Sequence, residues 1–255
     1  MTLREVAPGI FVTTSRRDAL NSVVVLADTA AAAGDVLLVD PGWERDELDA
    51  LADSLAQRAL RPVAGLATHA HFDHLLWHPR FGDVPRWASA VTTELAIDHR
   101  EQLLADLGPH YSAEVIESFG LLQALPGTDL PWSGREIELV VHDGHVAGHT
   151  AVWIPDYRVL VAGDMLSDVE IPLLDDTPDA LDRYREALDA LAGYAASACM
   201  VIPGHGSIGA DAIARLDADR RYLDALASGT RPADARLESP AMAAVHEAQV
   251  AALIE

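Results

Sequence analysis

Positive charge is scarce in this sequence. Of its 255 residues, 18 are basic and 40 are acidic, which gives a formal net charge of −22, and every basic residue is an arginine. A surface with this much negative charge repels the phosphate backbone of nucleic acids. We therefore expect no nucleic acid among the partners of the protein.

Cysteine and long apolar runs are scarce as well. The single cysteine, Cys199, excludes an internal disulfide framework, and its place in the apolar run CMVIP predicts a small buried core residue. No segment approaches the ~20 consecutive apolar residues of a membrane helix. The first residues, MTLREVAPG, lack the apolar core of a signal peptide. These absences predict a soluble, cytoplasmic protein with no membrane attachment.

The pattern of apolar residues predicts alternating strands and helices. Half of the residues are hydrophobic and 23% are charged, as in ordinary globular proteins. Short β-branched runs predict strands at 10–14, 22–27, 36–40, 63–68, 137–142, 151–154, 159–162 and 200–203. Helical periodicity predicts helices at 44–59, 178–192, 208–227 and 241–254. Strands separated by helices, in two blocks, indicate a layered α/β arrangement.

The middle of the chain departs from this pattern. Residues 92–131 contain helix-like pieces, no clear strand, and an end rich in proline and glycine, LPGTDLPWSG. We interpret this segment as a helical insertion between two sheet-forming halves. Such an insertion either covers an active site or has only a packing role.

The stretch GLATHAHFDHLLW contains four side chains of types that commonly bind metals, all in a span of six residues: His69, His71, Asp73 and His74. They follow the predicted strand at 63–68. If the loop curls, the first two can converge on one ion and the last two can face a second. Imidazole and carboxylate groups are typical ligands of zinc, iron and manganese. A surface loop with accidental histidines is the alternative, and the density of ligands argues against it.

Three later motifs offer further ligands, each after a predicted strand and next to a glycine. VVHDGHVAGHT contains His145 and His149, LVAGD contains Asp164, and VIPGHG contains His205. The neighbouring glycines allow tight turns and a close approach of the backbone to a site. The sequence alone leaves the choice between His145 and His149 open.

In order, these four motifs resemble the signature of metallo-β-lactamase-superfamily hydrolases: HxHxDH, GHxxGH, a GD that follows a strand, and PGHG. The resemblance extends from VDPG, which begins at Val39, to PGHG, which begins at Pro203. It implies an α/β fold of the αββα four-layer sandwich type, with two sheets face to face and helices outside. Because both halves would contribute ligands to one site, we expect residues 1–255 to form a single domain.

The resemblance also implies a ligand set and a reaction. His69, His71 and His145 would bind one divalent ion, Asp73, His74 and His205 would bind a second, and Asp164 would bind both. The ions, Zn²⁺ first and Mn²⁺ or Fe²⁺ as alternatives, would hold a hydroxide nucleophile between them, and Asp73 would orient it or transfer its proton. The family uses the first histidine of GHxxGH, so His149 is expected to have a supporting role.

Other residues near these motifs are expected to affect the site. Asp40, in VDPG, matches a family position suited to hydrogen bonding a ligand histidine. After HxHxDH the family commonly has small residues, whereas this chain has Leu75, Leu76 and Trp77, which we expect to narrow the pocket and to favour an apolar acyl or aromatic substrate. Three more residues are candidates for substrate contact or for plain packing and surface roles: Trp43, His78 and His110.

The resemblance leaves several reactions open. True β-lactamases of the family have Cys or Ser at the position of Asp164, which argues against β-lactam hydrolysis. Glyoxalase II-like and RNA-processing members use basic residues that are few here. We therefore expect a dinuclear hydrolase of a small ester, lactone or thioester. An oxidoreductase with one iron, similar to persulfide dioxygenases, is the main alternative, and a phosphodiesterase or a non-catalytic metal-binding module is weaker. The substrate would be a small molecule, and a homodimer, common in relatives, stays open.

Overall fold

The structure, a computed structural model, describes residues 2–28 and 32–253. Its strands are β1 (Arg4–Ala7), β2 (Ile10–Thr14), β3 (Asn21–Leu26), β4 (Asp35–Val39), β5 (Arg61–Leu66), β6 (Arg86–Ala88), β7 (Gln123–Ala124), β8 (Glu138–His142), β9 (His149–Ile154), β10 (Val159–Gly163) and β11 (Met200–Pro203). Its α-helices are α1 (Arg45–Gln57), α2 (Ala90–Asp98), α3 (Arg100–Leu107), α4 (Ala113–Ser118), α5 (Ala180–Ser197), α6 (Ala212–Ala227) and α7 (Pro240–Ala252). None of the helices in these two ranges is both long enough and apolar enough to cross a bilayer.

The first sheet contains β1 to β7 in sequence order. Strands β1 to β4 pair in antiparallel fashion, whereas β4 to β7 pair in parallel. Helix α1 makes the crossover between β4 and β5 that a parallel pair requires. The carboxyl ends of β4 and β5 therefore share one edge of the sheet, and Asp40 and His69 follow them there.

The second sheet contains four strands in the order β11-β10-β9-β8. The pairs β8–β9 and β9–β10 are antiparallel, and β10–β11 is parallel, with α5 as its crossover. Asp164 follows β10 and His205 lies two residues beyond β11. Because parallel strands have their carboxyl ends at one edge, these two residues are brought together.

Alternating apolar residues place the two sheets face to face. Val23 and Val25 of β3 face a core that also contains Val152 and Val161 of the second sheet. Val24, between them, faces outward into a core shared with α1. The outer face of the second sheet packs in the same way against α5 and α6. This order of layers confirms the predicted αββα sandwich.

All eight predicted strands form, and their ends agree within two residues. The four predicted helices form as well, although α5 continues to Ser197 and α6 begins only at Ala212. Ile254, in the predicted helix at 241–254, lies outside the described residues. The segment 92–131 contains helices, as predicted: most of α2, and all of α3 and α4. The prediction that it has no clear strand was wrong, because β7 lies within it. The sequence pattern did not predict β1, β6 and β7. These strands have only two to four residues, and β1 and β7 are the two edge strands of the first sheet.

The prediction for Cys199 was wrong, because this residue is exposed. Strand β11 and its burial begin at Met200 and Val201, whereas Cys199 belongs to the turn after α5. Its amide donates a hydrogen bond to the carbonyl of Arg158, the residue before β10. An apolar neighbourhood in sequence therefore did not imply burial at the end of a strand.

Candidate metal centre

The loop after β5 presents four of the seven candidate ligands. His69, three residues beyond the end of β5, is fully buried. A short 3₁₀ helix at Phe72–His74 then turns Asp73 and His74 back toward the sheet, and both are buried. The loop therefore curls in the way that shared binding of ions by this motif requires.

The first cluster contains His69, His71, His145 and Asp164. Nδ1 of His71 lies 3.0 Å from Nε2 of His69 and 3.0 Å from Nε2 of His145. Oδ2 of Asp164 lies 3.5 and 3.6 Å from the same two Nε2 atoms. Nitrogen donors at zinc-bond length on a tetrahedron are roughly 3.3 Å apart. The cluster therefore has the spacing of ligands on one tetrahedral ion.

The second cluster contains Asp73, His74 and His205. Oδ2 of Asp73 lies 3.2 Å from Nε2 of His205 and 3.7 Å from Nε2 of His74. The other oxygen of Asp164, Oδ1, lies 3.3 Å from Nε2 of His74. Oδ2 of Asp164 also lies 3.6 Å from Nε2 of His205, so the carboxylate of Asp164 lies between the two clusters.

Two buried atoms in this centre have no hydrogen-bond partner among the described residues: Nε2 of His74 and Oδ1 of Asp164. Buried polar atoms in folded proteins nearly always have a partner. The side chains of His74 and Asp164 are only 0% and 5% exposed, so bulk water does not supply one. A divalent cation would satisfy both atoms, and the set of imidazole and carboxylate donors suits zinc. The residues therefore fit the metal ions that the sequence predicts.

Asp40 and Thr68 orient two of the histidines. Oδ2 of Asp40 lies 2.9 Å from Nδ1 of His74 and accepts the hydroxyl proton of Thr68 at 2.6 Å. The Thr68 oxygen can then only accept from Nδ1 of His69, 3.0 Å away. Both histidines consequently have a proton on Nδ1, which leaves Nε2 as the atom that would bind an ion. The hydrogen bond predicted for Asp40 is confirmed.

Backbone carbonyls orient the other two histidines that use Nε2. Nδ1 of His205 lies 2.9 Å from the carbonyl of Asp18, and Nδ1 of His145 lies 3.3 Å from the carbonyl of Leu173. The loop of His205 is also tied to the first sheet, because the Asn21 amide donates to the carbonyls of Pro203 and Gly206 at 2.9 Å each. Nothing in the sequence indicated the roles of Asp18 and Leu173, since any residue can supply a carbonyl.

His149 lies outside both clusters and supports Asp164. Nε2 of His149 accepts the backbone N–H of Asp164 at 3.0 Å, and its Nδ1 lies 3.3 Å from Nε2 of His142. The imidazoles of His142 and His149 stack with centroids 4.7 Å apart. His149 is also the first residue of β9, so both the supporting role and the position predicted for it are confirmed.

Two glycines let the ends of β10 and β11 approach each other. A Cβ atom on Gly163 would overlap the imidazole of His149, and one on Gly204 would overlap Oδ1 of Asp164. The Gly204 amide donates to the Gly163 carbonyl at 2.6 Å across this contact. The glycines beside the motifs are therefore needed for the position of Asp164.

The charges of the centre are strongly coupled. Burial opposes ionisation of Asp73 and Asp164, but His74 and His205 outweigh it and lower the pKa of both carboxyl groups. Burial likewise opposes the imidazolium of His205, yet the carboxylates of Asp164, Asp73 and Glu170 raise its pKa to about 10. Burial lowers the pKa of His145 to about 3. The metal-free centre thus holds protons on the second cluster, which a bound cation would displace.

A cavity of about 410 Å³ opens onto the centre. Trp43 and Phe72 form part of its wall, and Leu103 and Asp106 of α3 form another part. The insertion at 92–131 therefore borders the cavity. A hydrogen bond of 3.0 Å from the Tyr111 hydroxyl to the Trp43 carbonyl ties it there.

Glu170 is a cavity residue that sequence reasoning missed. A carboxylate oxygen of Glu170 lies within 4.8 Å of donor atoms of both Asp164 and His205. Burial raises its pKa to about 7; His205 opposes this shift, and the charges of Asp164 and Asp73 add to it. Its position six residues after Asp164 in the same loop was the only available signal, and no motif marked it.

The expectation that Leu75, Leu76 and Trp77 shape the pocket was wrong. All three are buried in the core between the first sheet and its outer helices, and none lines the cavity over the centre. The Trp77 indole donates to the carbonyl of Gly82 at 3.0 Å. The 3₁₀ turn before these residues directs the ligands to one side and the bulky side chains to the other. His78, which lies 3.2 Å from Asp49, and the exposed His110 are also outside the cavity wall.

The sequence profile of the metallo-beta-lactamase superfamily matches residues 17–205, a range that contains all seven candidate ligands. The chain belongs to the metallo-beta-lactamase superfamily. Metallo-beta-lactamase IND-1 of Chryseobacterium indologenes is 27% identical over 175 residues, which are 67% of this chain and 66% of that protein. Metallo-beta-lactamase type 2 of Bacillus cereus is 25% identical over 178 residues, 68% of this chain and 64% of that protein. The match thus spans just under two thirds of the length of these relatives.

Solved structures with a similar fold include two that cover most of this chain. A beta-lactamase domain protein from Burkholderia ambifaria superposes with a TM-score of 0.67 at 23% identity and covers 89% of this chain and 74% of that chain. The inverting sec-alkylsulfatase Pisa1 from Pseudomonas superposes with the same TM-score of 0.67 at 17% identity and covers 89% of this chain and 42% of that chain. At these identities the likeness shows the fold alone.

Proposed function

We propose that this protein is a metal-dependent hydrolase of a small ester, lactone or thioester that uses two divalent metal ions, with zinc the first candidate. Members of the superfamily are mostly metal-dependent hydrolases, which supports the reaction class. The position of Asp164 is the observation that carries the proposal, because its carboxylate lies between the two clusters, with Oδ2 3.5 Å from Nε2 of His69 and Oδ1 3.3 Å from Nε2 of His74. The proposed ligands are His69, His71, Asp73, His74, His145, Asp164 and His205.

When bound, the ions would supply a hydroxide nucleophile at neutral pH and a Lewis acid for the scissile carbonyl. The chain's own groups have other tasks. Asp73 lies at the cavity and at 3.2 Å from His205, and it is the group proposed to orient the nucleophile and to move its proton to the leaving group. Trp43 and Phe72, with ring centroids 5.5 Å apart, shield one side of the substrate from water.

Hydrolysis of β-lactams is a second candidate. It is favoured by the names of two relatives, the metallo-beta-lactamases of Chryseobacterium indologenes and Bacillus cereus. Against it stands Asp164, because true β-lactamases of the superfamily have Cys or Ser at the corresponding position. We therefore place it after ester, lactone and thioester hydrolysis.

Iron-dependent oxidation, as in persulfide dioxygenases, is a third candidate that uses one ion. The residues of the second cluster do not distinguish the two candidates, because such oxygenases can keep them, and metal content with oxygen uptake is the deciding measurement. A small-molecule substrate, a cytoplasmic location, the absence of nucleic-acid and membrane partners, and assembly as a homodimer are further parts of the proposal that await measurement.

The proposal can be tested on one purified sample. Elemental analysis should find about two zinc or manganese ions per chain, and a substrate panel should show turnover of an ester, lactone or thioester in preference to a β-lactam or a phosphodiester. His69→Ala and Asp164→Asn should lower kcat/KM more than 100-fold, beyond the 10–100-fold typical of losing a group that only orients a ligand.

Asp156→Asn is the matched control, since Asp156 is exposed on a turn at the far end of β9, and it should leave both metal content and turnover unchanged. One iron per chain with oxygen uptake and no hydrolysis would contradict the proposal in favour of the dioxygenase.

A further inference from the structure

A second and larger cavity adjoins the one over the metal centre. It has a volume of about 700 Å³ and lies between the loop after Glu170 and the C-terminal part of α7. The two cavities share three wall residues, Leu173, Leu174 and Asp175. A molecule that extends from the centre across these residues therefore enters the groove against α7.

The shared wall is fixed to both neighbours. The carbonyl of Leu173 lies 3.3 Å from Nδ1 of His145, and the amide of Leu174 donates to Oε1 of Gln249 on α7 at 2.7 Å. Gln249 in turn donates to the hydroxyl of Tyr222 at 2.8 Å. The groove is thus held in a defined position relative to the candidate ligands, without need of a bound molecule.

The lining of the groove is mainly apolar. Leu181 comes from α5, and Val245, Ala248 and Ala252 come from α7. A volume of this size and such a lining are typical of pockets for the apolar part of a small ligand. The groove therefore offers burial to an apolar chain.

Charge restricts what that chain can carry. Within the described residues, no arginine lines either cavity, and the sequence has no lysine. Carboxylates line both, with Asp106 and Glu170 near the centre and Asp176 in the groove. Asp175, at the junction, is already paired with Arg183 at 2.7 Å. A ligand with a carboxylate on its chain would meet only like charge there.

We propose that the groove between residues 173–181 and α7 binds the apolar, uncharged acyl chain of the substrate, whose ester, lactone or thioester carbonyl lies at the metal centre. This inference rests on the proposed hydrolase function and narrows it to neutral substrates of medium chain length. It separates them from compounds with a carboxylate on the acyl chain, for which the described lining of the two cavities provides no arginine or lysine partner.

The first test is a chain-length series of p-nitrophenyl esters, from acetate to octanoate. In the wild type, each methylene that enters the groove should raise kcat/KM about three- to fourfold. Ala248→Trp fills the groove and should lower kcat/KM for the octanoate at least tenfold more than it lowers kcat/KM for the acetate. An octanoate analogue that ends in a carboxylate should react at least tenfold more slowly than the neutral ester.

Ala244→Trp is the matched control, since Ala244 is exposed on the same helix but does not line the groove. Ala252→Trp repeats the test if Ala248→Trp does not fold. An equal dependence on chain length in Ala248→Trp and Ala244→Trp would overturn the inference and leave the proposed function standing.

Binding of the neutral fluorescent probe N-octyl dansylamide gives a readout that does not depend on turnover. The wild type and Ala244→Trp should bind it at least tenfold more tightly than Ala248→Trp, with or without metal. Equal binding by all three would overturn the inference. Absence of any ester, lactone or thioester turnover would instead contradict the proposed function, and the probe would still decide whether the groove binds an apolar chain.

Discussion

At the scale of single residues, His142 is a buried histidine that the fold keeps uncharged. It stacks on His149 behind the metal centre, and burial lowers its pKa from the ordinary value of 6.5 to about 4, with Asp143 opposing the shift. In the unfolded chain the same imidazole takes up a proton near pH 6.5. Between these two values only the unfolded state is protonated at this position, so acid favours unfolding.

We therefore expect His142 to make the metal-free protein less stable as the pH falls from 6.5 toward 4. Between pH 7 and pH 5 the free energy of unfolding should fall by about 2 kcal/mol more in the wild type than in His142→Asn. Urea denaturation with a chelator present measures this difference. His99→Asn is the control, because His99 is exposed, and it should follow the wild type. Parallel pH profiles for wild type and His142→Asn would contradict the expectation.

At the scale of elements, the ends of β10 and β11 leave no room for a side chain at Gly204. The backbone of Gly204 lies in a conformation open to other residues, so the obstacle is the contact of its Cβ position with Asp164. Gly204→Ala should displace the Asp164 carboxylate, destabilise the fold by about 1–3 kcal/mol and weaken zinc binding at least tenfold. Calorimetric zinc titration and urea denaturation measure the two effects.

Gly193→Ala is the matched comparison for that change. Gly193 lies within α5, and a Cβ there meets nothing within 4 Å. It should therefore raise the free energy of unfolding by about 0.5–1 kcal/mol, as alanine does in helix interiors, and leave zinc binding unchanged. If Gly204→Ala bound zinc with the same affinity as Gly193→Ala, the prediction would be contradicted, because Asp164 would then tolerate the displacement.

The elements also show where prediction from the sequence succeeded and where it stopped. The strands and the curl of the loop at His69 and His71 could be predicted because period-two burial and ligand spacing are local properties. Strand β7 has two residues and β6 has three, too few for a period, and both pair at the edge of the first sheet. The direction of Trp77 depends on the preceding 3₁₀ turn, and the place of Glu170 depends on tertiary packing, so neither was visible in a linear pattern.

At the scale of the whole molecule, the candidate ligands come from both sheets. His69 and its neighbours follow β5 in the first sheet, whereas Asp164 and His205 follow β10 and β11 in the second. Ions bound by both sets would connect the two sheets at one edge. Binding to the folded state alone would then stabilise the whole sandwich.

Zinc at about 100 times its dissociation constant should raise the free energy of unfolding by about 2.7 kcal/mol per ion, which corresponds to a Tm increase of roughly 5–10 °C for a chain of this size. Differential scanning calorimetry with zinc and with a chelator measures the change. Asp164→Asn should gain less than half of it. A Tm that zinc raises equally in wild type and Asp164→Asn would indicate binding elsewhere on the surface.

The distance along the chain between the first and last candidate ligands has a consequence for the timing of metal uptake. His69 and His205 are separated by 136 residues, and β11, which positions His205, lies at the edge of the second sheet beside β10. At about 5–20 residues per second, a ribosome needs roughly 7–27 s to add that length. His145 and Asp164 emerge during this interval, but His205 does not, so the second cluster of donors stays incomplete until its end. Metal selection therefore belongs to the completed fold, after β11 has joined the second sheet, and not to the nascent chain.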